Sequence, residues 1–400
     1  MNSQNYIALE NEYGAHNYKP LDVVIKEANG VWVEDVDGKK YLDCLAAYSA
    51  MNHGHRHPKI MQALIEQAGK ATLTSRAFRN DQFGPFLKEL SDVTGFEMAL
   101  PMNTGAEAVE TAFKLARKWG YEVKGIKKHQ AEIVTVAGNF HGLTITIIST
   151  STEPLYRDAF GPFTPGFISI PYGDADAFEK AITPNTAAIV LEPIQGEAGV
   201  IIPPKGYLKR LRQICDRHNV LLILDEIQTG LGRTGKMFAF EHEAITPDAV
   251  IIGKALGGGV YPVSAVLSSK KIMGLFKPGE HGSTFGGNPL ACAVARAALK
   301  VLVEEKLIEN SATLGEYFLE RLQEIPSPHV KEIRGKGLFI GVELKSEAKG
   351  ARRFCEALKD RGILCKETHD NVIRFAPPLV IDRATIDNAI PMIMDVMNIK

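Results

Sequence analysis

The sequence lacks any apolar run that approaches the ~20 residues a helix needs to cross a bilayer. Its first residues, MNSQNYIALENEYG, are polar and acidic, without a basic start followed by an apolar core, so we expect no signal or transit peptide. It also lacks an excess of either charge, because 46 basic and 47 acidic residues leave a net charge of −1. This balance excludes a strong attraction to nucleic acid or anionic lipid and leaves small neutral ligands open.

Cysteine is sparse as well, and its pattern indicates a reducing compartment. The five cysteines are odd in number, widely scattered and without a CxxC pair, which favours free thiols in the cytoplasm. Repeats, low-complexity tracts and long linkers are absent, so the units of this 400-residue chain should pack against one another. The cysteines are Cys44, Cys215, Cys292, Cys355 and Cys365.

What the sequence does contain is a series of short apolar runs between residues 98 and 270. Several are apolar at successive positions, which is typical of strands covered on both faces. Amphipathic segments such as GYLKRLRQICDRHN, residues 206–219, lie between some of them. The alternation predicts an α/β fold with a mostly parallel central sheet covered by helices. The runs are EIVTVAG, ITIIST, FISIPYG, AAIVLEP, VLLILDE, AVIIGK and VSAVLSS.

The pattern changes near residue 305, where helical segments begin to alternate with VKEIRGKGLFIGVEL and NVIRFAPPLVI. This indicates a smaller α+β unit. We predict an N-terminal segment, 1–47, that packs with the small domain, a large domain, 48–305, and a small C-terminal α+β domain, 306–400. Pro391 interrupts the last helical pattern, and we expect a kink or a short break there.

One segment with a possible ligand-binding role is the start of NTGAEAVETAFKLARKWG, residues 103–120. Thr104 and Gly105 form a capped helix start, which by itself explains only a stable helix. The functional alternative is that the exposed amides of Gly105 and Ala106 bind a phosphate at the positive helix end.

Two further residues stand at the ends of apolar strands. Asp225 ends VLLILD, where open α/β sheets bind ligands, and a carboxylate there can hold a proton on a pyridine nitrogen. A helix cap or a structural ion pair is the alternative for a lone aspartate. Lys254 ends the next strand and is followed by the glycines of KALGGG. A desolvated lysine can lose its proton and form a Schiff base with an aldehyde, although a lone lysine usually reaches into water.

The segment GLGRTGKM, residues 230–237, nearly matches a phosphate-binding P-loop and suggests an ATPase as the alternative. Met237 stands where Mg²⁺ binding needs Ser or Thr, and the loop neither directly follows a strand nor opens an evident helix. An ATPase therefore stays only a remote alternative.

The segment NHGHRHP, residues 52–58, carries three alternate histidines that would share one face of a strand. Its glycine and proline indicate a loop instead, and no acidic or cysteine ligand lies beside them. We therefore expect no metal site. The histidines are His53, His55 and His57.

Several motifs together resemble a known family. IIGKALGGGVYPVSAV, LDEIQTGLGRTGK, NTGAEAVETAFKLARKWGY, LEPIQGEAGV and HGSTFGGNPLA closely resemble the class III (omega) aminotransferases of the fold-type I pyridoxal phosphate enzymes. YGAHNYKPLDVVI, YSAMNHGHRHPKI, TLTSRAF and VIRFAPPLVI are similar to the ornithine-using branch of that family. The resemblance runs from about residue 13 to 382. It implies pyridoxal 5'-phosphate as cofactor and a homodimer with shared active sites.

The resemblance also implies a role for individual cofactor-binding residues. Lys254 is similar to the lysine that binds the cofactor and moves the substrate proton, and Asp225 to the partner of the pyridine nitrogen. Gln228 is similar to the hydrogen-bond partner of the ring's phenolic oxygen. The other implied contacts are the stacking aromatic Phe140, the phosphate-binding Gly105 and Ala106, and Thr284, which reaches the phosphate from the neighbouring subunit.

For substrate, the resemblance implies transfer of the δ-amino group of L-ornithine to 2-oxoglutarate by a ping-pong mechanism. The products would be glutamate-5-semialdehyde and glutamate. Tyr18 and Tyr48 resemble contacts on the ornithine side, and Arg374 resembles the arginine that takes the α-carboxylate of the oxo acid. Glu197 resembles the partner that masks Arg374 until a carboxylate displaces it, and a structural salt bridge is compatible with that role.

The sequence departs from the family pattern at Leu143, since HGLT replaces the usual HGRT, whose arginine binds a substrate carboxylate. A leucine cannot pair with a carboxylate, and the loss is worth roughly 2–5 kcal/mol of binding. Another cation or the two tyrosines must then hold ornithine, or the donor is a putrescine-like diamine, 4-aminobutyrate or N-acetylornithine. Arg76 and Arg79 are candidate substitutes, with solvated loop charges as their alternative. A pyridoxal phosphate-binding protein without turnover is the alternative from a different functional class.

Overall fold

The computed structural model of the protein describes residues 1–399. Its strands are β1 (Ile25–Asn29), β2 (Trp32–Asp35), β3 (Lys40–Asp43), β4 (Met98–Met102), β5 (Glu132–Val136), β6 (Phe167–Ile170), β7 (Thr186–Leu191), β8 (Leu221–Asp225), β9 (Ala249–Ile252), β10 (Ser264–Ser268), β11 (Val330–Lys336), β12 (Phe339–Leu344), β13 (Ile363–Leu364), β14 (Lys366–Thr368) and β15 (Val372–Phe375). Its α-helices are α1 (Ser3–Tyr13), α2 (Ala46–Ser49), α3 (Pro58–Ala68), α4 (Phe83–Thr94), α5 (Gly105–Trp119), α6 (Ile145–Ile148), α7 (Pro154–Arg157), α8 (Ala175–Ala181), α9 (Tyr207–His218), α10 (Lys270–Met273), α11 (Pro289–Glu304), α12 (Leu307–Gln323), α13 (Arg352–Asp360) and α14 (Arg383–Met397). Short helical turns of other types span Gly120–Lys124, Ala239–Glu243, Lys254–Gly257 and Ser346–Ala348.

The central sheet has the strand order β4-β10-β9-β8-β7-β5-β6. Strands β5 to β9 pair in parallel, and β10 runs antiparallel to both of its neighbours. Every residue of β7, β8 and β9 is buried, because apolar clusters cover both faces of the sheet. The predicted α/β fold with a mostly parallel sheet is therefore confirmed. Helix α9 lies where the amphipathic segment 206–219 predicted one.

Two local predictions in this sheet were incomplete or wrong. The run ITIIST is not a strand but the short helix α6, because the Thr144 hydroxyl caps it by accepting a hydrogen bond from the Ile147 amide. The run buries Ile147 and Ile148 and leaves Ile145 exposed, which suits a helical turn. The edge strand β4, MALPM, was not predicted; an edge position tolerates Pro101, which lacks a backbone donor.

Two smaller sheets lie outside the central one. One has the order β1-β2-β3-β13 and joins the N-terminal segment to the C-terminal part, since β3 pairs in parallel with β13. The other has the order β11-β12-β15-β14 and is antiparallel. Helix α11 ends at Glu304, and α12 begins at Leu307. The division into residues 1–47, 48–305 and 306–400 stays a prediction that these pairings support.

The final helix α14 continues through Pro391, so the short break, one of the two expected alternatives, is wrong, and the kink stays a prediction. Proline removes the donor that would bond the carbonyl of Asp387. Both residues are exposed, so water can hydrate that carbonyl and the helix persists. None of the helices in residues 1–399 is long and apolar enough to cross a membrane.

Candidate active site

A cavity of about 220 Å³ lies at the carboxyl ends of the parallel strands. Asp225 is the last residue of β8, and Lys254 follows β9 after one glycine, so both reach the same edge of the sheet. This is the edge where open α/β sheets bind ligands. The cavity is lined by Gly105, Ala106, Phe140, His141, Gly142, Glu192, Ile194, Glu197, Asp225, Ile227, Gln228, Thr229 and Lys254.

The amine of Lys254 lies in an environment that favours its neutral form. Burial lowers its pKa, and the nearby charge of Arg374 lowers it further, while the carboxylates Glu197 and Asp225 act in the opposite direction. The backbone of Lys254 has a φ of +43°, a left-handed conformation that is strained for a side chain with a Cβ. Such strain persists only where the surrounding structure holds it, and it is frequent at functional sites.

Asp225 is paired with a histidine that the sequence analysis did not single out. The Nδ1 atom of His141 lies 2.7 Å from Asp225 Oδ2, and both side chains are buried. Burial alone would lower the pKa of His141, but the hydrogen bond and the charge of Asp225 outweigh it and raise the pKa. The other carboxylate oxygen of Asp225 accepts a hydrogen bond from the Ile227 amide at 3.1 Å. The only sequence signal for His141 is its place directly after Phe140 in GNFHG.

Glu192 is a second residue that the sequence analysis missed. It follows β7, and its carboxyl group accepts hydrogen bonds from the amides of Phe140 at 3.0 Å and Gly196 at 3.3 Å. Burial raises its pKa to about 7. A polar residue directly after a buried strand, as in AAIVLEP, was the available signal, and it is the signal that identified Asp225.

The start of α5 closes one end of the cavity. The predicted cap is confirmed, because Thr104 accepts a hydrogen bond from the Glu107 amide and Glu107 accepts one from the Thr104 amide. The first-turn amides of Gly105 and Ala106 have no carbonyl within the helix to bond, and both residues line the cavity. Gly142 faces them with a φ of +122°, and an added Cβ would lie 3.1 Å from the Ala106 Cβ. Small residues thus keep this end open for an anion.

Glu197, which lines the cavity, pairs with Arg374, an arginine from a distant part of the chain that lies behind the lining. Arg374 Nη1 donates to Glu197 Oε1 at 2.8 Å, and its guanidinium lies 4.9 Å from the ring centre of Tyr48. Arg374 is only 1% exposed, yet its Nε and Nη2 donors have no partner within residues 1–399. Burial alone would raise the pKa of Glu197, but Arg374 outweighs it and lowers the pKa. Gln228 Nε2 donates to Glu197 Oε1 at 3.2 Å.

Tyr48 is held in an unusual backbone conformation. All four residues of α2, Ala46–Ser49, have positive φ values between 47° and 72°, so this turn is left-handed. Each such non-glycine residue costs roughly 1–2 kcal/mol. The Asp43 carboxylate accepts hydrogen bonds from the amides of Leu45 and Ala46, and the Tyr48 carbonyl accepts one from Gln228. The turn therefore presents Tyr48 to the Arg374 guanidinium, outside the lining of the cavity, at an energetic cost.

The remaining predicted site residues lie outside the lining of the cavity. Tyr18 is 77% exposed, and its influence on the pKa of Tyr48 and of Tyr156 places it near those two tyrosines. Tyr156, another missed residue, packs edge-on against Phe140 with ring centres 5.8 Å apart. Thr284 is exposed and does not line the cavity of its own chain.

Leu143 and the two candidate replacement arginines also lie outside the cavity lining. Leu143 is 56% exposed. The guanidinium of Arg76 stacks on the ring of Phe83, with its carbon 3.7 Å from the ring centre, and Arg79 is exposed. Within one chain, neither arginine takes the place of a cation at position 143.

The three alternate histidines have three separate partners. His53 bonds to the Ala298 carbonyl, His55 to Asp43 and His57 to Glu305. Each histidine is thus accounted for as part of the packing.

Comparison with known proteins gives a consistent family. A family model described as aminotransferase class-III matches residues 13–397. The chain is 60% identical over 400 residues to the ornithine aminotransferase of Brevibacillus brevis, covering 100% of both chains. A crystal structure of the ornithine aminotransferase from Toxoplasma gondii is similar with a TM-score of 0.98 and 46% identity, covering 99% of this chain and 95% of that one. An acetylornithine aminotransferase from Elizabethkingia anophelis is similar with a TM-score of 0.90 and 48% identity, covering 99% of each chain.

Proposed function

The chain belongs to the class III aminotransferases, and we propose that it transfers the δ-amino group of L-ornithine to 2-oxoglutarate by a ping-pong mechanism. The products are glutamate-5-semialdehyde and glutamate. The observation that carries the chemistry is the placement of Lys254 and the Asp225–His141 pair around one cavity. The full-length identity to an ornithine aminotransferase supports ornithine as the donor over the other amines considered.

The cofactor is pyridoxal 5'-phosphate, and the residues of the cavity fit it. At the α5 end, Gly142 faces Ala106 so closely that a side chain there would crowd the space a phosphate needs. At the other end, Gln228 Oε1 is buried without a hydrogen-bond partner in residues 1–399, and it can accept a hydrogen bond from the ring's phenolic hydroxyl. Asp225 would hold the ring nitrogen, and Phe140 and Ile227, which line the same cavity, would supply apolar contacts for the ring.

When bound, pyridoxal phosphate supplies an aldehyde carbon that accepts an amino group and a ring that delocalises the electrons left at the substrate carbon. The lowered pKa of Lys254 leaves its Nζ ready to take a proton from the substrate and to return it. Asp225, held by His141 and the Ile227 amide, would offer its carboxylate as the acceptor for a ring N–H. Glu192 fixes the Phe140 amide and with it the stacking ring.

The pair Glu197–Arg374 allows one site to bind two kinds of substrate, an amine and a dicarboxylate. Glu197 covers one donor of Arg374 when the amine substrate is bound, and a dicarboxylate displaces Glu197 to reach the arginine. The unpartnered Nε and Nη2 donors of Arg374 support such a second partner. Tyr48 and Tyr18 contact ornithine on the open side of the cavity.

The enzyme acts as a cytoplasmic homodimer in amino-acid metabolism, namely in the metabolism of arginine and proline. Exposed apolar side chains, including the neighbour of the cavity-lining Gly142 and the neighbour of Thr284, support a subunit interface. Thr284 then reaches the phosphate of the neighbouring subunit. The cysteines are free and buried, which supports a reducing compartment. The exposed apolar residues are Phe78, Leu143, Ile145 and Phe285.

The test is a titration of the purified holoenzyme with L-ornithine, putrescine, 4-aminobutyrate and N-acetylornithine, each without an oxo acid. The visible absorbance of the cofactor should be converted most efficiently by ornithine. The Lys254→Ala variant should slow the conversion by about 10⁴-fold, because it removes the proton-transferring group. An unchanged absorbance with ornithine and a change with another amine would assign that amine as the donor.

A further inference from the structure

Arg233 is a fully buried cation that lies outside the cavity and is not used by the mechanism above. Its Nη1 donates to the carbonyl oxygens of Leu338 at 2.8 Å and Pro377 at 2.6 Å, and its Nη2 donates to Asn52 Oδ1 at 2.6 Å. No carboxylate is among these acceptors. Burial lowers its pKa to about 9, so the guanidinium stays charged near neutral pH. The opposing charge of Asp43 acts on Arg233 without a hydrogen bond. A buried charge whose hydrogen-bond acceptors are all neutral is costly, so this arrangement needs a functional or structural explanation.

The acceptors of Arg233 belong to the segments that carry the arginine and the tyrosine of the candidate active site. Leu338 directly precedes β12, and Pro377 lies two residues after β15. These strands pair antiparallel, with Gly341 opposite Arg374, so the two bonds hold both strands at one end of the pair. The third acceptor, Asn52, lies four residues after Tyr48 and also donates to the Leu231 carbonyl at 2.9 Å.

The turn that carries Arg233 packs backbone to backbone against the small antiparallel sheet. A Cβ added to Gly337 would lie 2.4 Å from the backbone carbon of Thr234. Ser311 donates to the Arg233 carbonyl at 3.0 Å and accepts from the Leu338 amide at 3.2 Å. With so little free space, displacement of Arg233 must also displace the β12–β15 pair.

The same turn is joined to the strand end that carries Asp225. The Gly230 amide donates to the Glu226 carbonyl at 2.9 Å, and Thr229 lines the cavity. Arg233 therefore stands between the part of the site that faces the cofactor ring and the part that carries Arg374. A change of about 1 Å in the relative position of two such parts can cost about 100-fold in rate.

We propose that Arg233 is a positioning residue that sets where Arg374 stands relative to Lys254, and that it thereby determines the preference for a five-carbon dicarboxylate as amino acceptor. The inference rests on the proposed function, since it takes Arg374 as the binding group for the acceptor carboxylate. Arg233 itself touches no reacting group. It acts through the carbonyl oxygens of Leu338 and Pro377, which fix the strand pair that holds Arg374.

The test compares wild type, Arg233→Lys and the control Arg212→Lys. A lysine keeps the charge but lacks the planar, forked guanidinium that donates to three acceptors at once. Arg212 is largely buried, with 16% of its side chain exposed, but it pairs with Asp248 and Asp216, away from the cavity. Arg233→Lys should raise the KM for 2-oxoglutarate and the Kd for glutarate by roughly tenfold or more. Its preference for 2-oxoglutarate over pyruvate should fall by a similar factor, while the ornithine half-reaction and cofactor content change less than about threefold.

Two outcomes would overturn the inference. One is an unchanged KM and Kd in Arg233→Lys with only a lower unfolding temperature, which indicates a purely structural role. The other is an equal loss in the ornithine and oxo-acid half-reactions.

If Arg233→Lys does not fold, Asn52→Ala serves as the second variant, because it removes one of the three hydrogen bonds. It should also raise the Kd for glutarate, by a smaller factor, and no rise contradicts the proposal. Failure of wild type to use ornithine would refute the donor assignment, while glutarate binding still tests Arg233.

Discussion

The two sides of the active site are built in different ways. On one side, Glu192, Asp225 and Lys254, here called the strand-end cluster, lie at the ends of adjacent parallel strands of one sheet. On the other side, the arginine cluster of Tyr48, Glu197 and Arg374 comes from a left-handed turn, a loop and a strand of another sheet. The strand-end cluster is positioned by the ladder of the sheet itself, whereas the arginine cluster depends on contacts between distant segments.

The difference matches two functions: the strand-end cluster meets the cofactor, which is the same in every reaction, and the arginine cluster meets substrates of different charge. Every substrate must meet the same cofactor, so a rigid sheet edge suits the strand-end cluster. The substrates differ in their charge, and a pair such as Glu197–Arg374 can exchange partners without disturbing the sheet. The two clusters should therefore respond differently to substitution.

The largest effect is expected from Asp225→Asn, which keeps the shape but removes the charge paired with His141. Breaking a buried pair costs about 3–5 kcal/mol, so kcat/KM should fall by at least about 10²-fold for every donor and acceptor alike. Steady-state kinetics with two donors and two oxo acids measures this. The control is Asp248→Asn, a carboxylate bonded to Arg212 at 2.7 Å and the Leu222 amide away from the cavity. A similar loss in both variants would contradict the special role of Asp225.

A smaller and selective effect is expected from Arg374→Gln. Charged hydrogen bonds contribute about 1.5–3 kcal/mol, so the KM for 2-oxoglutarate should rise by roughly 10- to 100-fold. The ornithine half-reaction, followed by cofactor absorbance in single turnovers, should change only a few-fold. Glu197→Gln is the matched variant, because it uncovers Arg374 and should not raise the KM for 2-oxoglutarate. Equal damage to both half-reactions by Arg374→Gln would mean that the two clusters are not separable.

The smallest effect is expected in the pH dependence of stability beside the strand-end cluster. Burial raises the pKa of Glu226 to about 7, although hydrogen bonds from Thr229 and the Phe240 amide act against the shift. The native state therefore keeps a proton that the unfolded chain releases, so this contribution to stability is complete below about pH 4.5 and is lost as pH rises through 7. Glu226→Gln should flatten the dependence by about 2 kcal/mol between pH 5 and 7.5, measured by urea unfolding.

A control of opposite sign is available on the small antiparallel sheet. The hydrogen bond from Lys331 and the contact with Arg334 lower the pKa of Glu343. Glu343 thus contributes stability that is present at neutral pH and lost as pH falls through its folded pKa. Glu343→Gln should therefore leave the loss of stability toward pH 7.5 intact. An unchanged profile in Glu226→Gln would show that its carboxyl group is ionised at low cost in the native protein.

Prediction from sequence succeeded best where local patterns carry the information. Buried strands have continuous apolar runs, and the residues directly after them lie at one sheet edge, so Asp225 and Lys254 could be placed together. Glu192 carries the same signal and was overlooked. The run ITIIST was misassigned because a short apolar segment suits a strand or a buried helical turn equally well. His141 could not be assigned to Asp225, because nothing local relates a loop residue to a strand 84 positions away.

The sequence alone determined the α/β class, the helix cap at Thr104 and the strand-end residues, because strand periodicity, capping and burial are set by neighbours along the chain. The family resemblance supplied the residues of the arginine cluster but not their geometry. Only the tertiary structure decided that Tyr48 stands in a left-handed turn under Arg374 and that Arg233 joins three distant segments. These arrangements depend on contacts between residues far apart in sequence, and no local pattern encodes them.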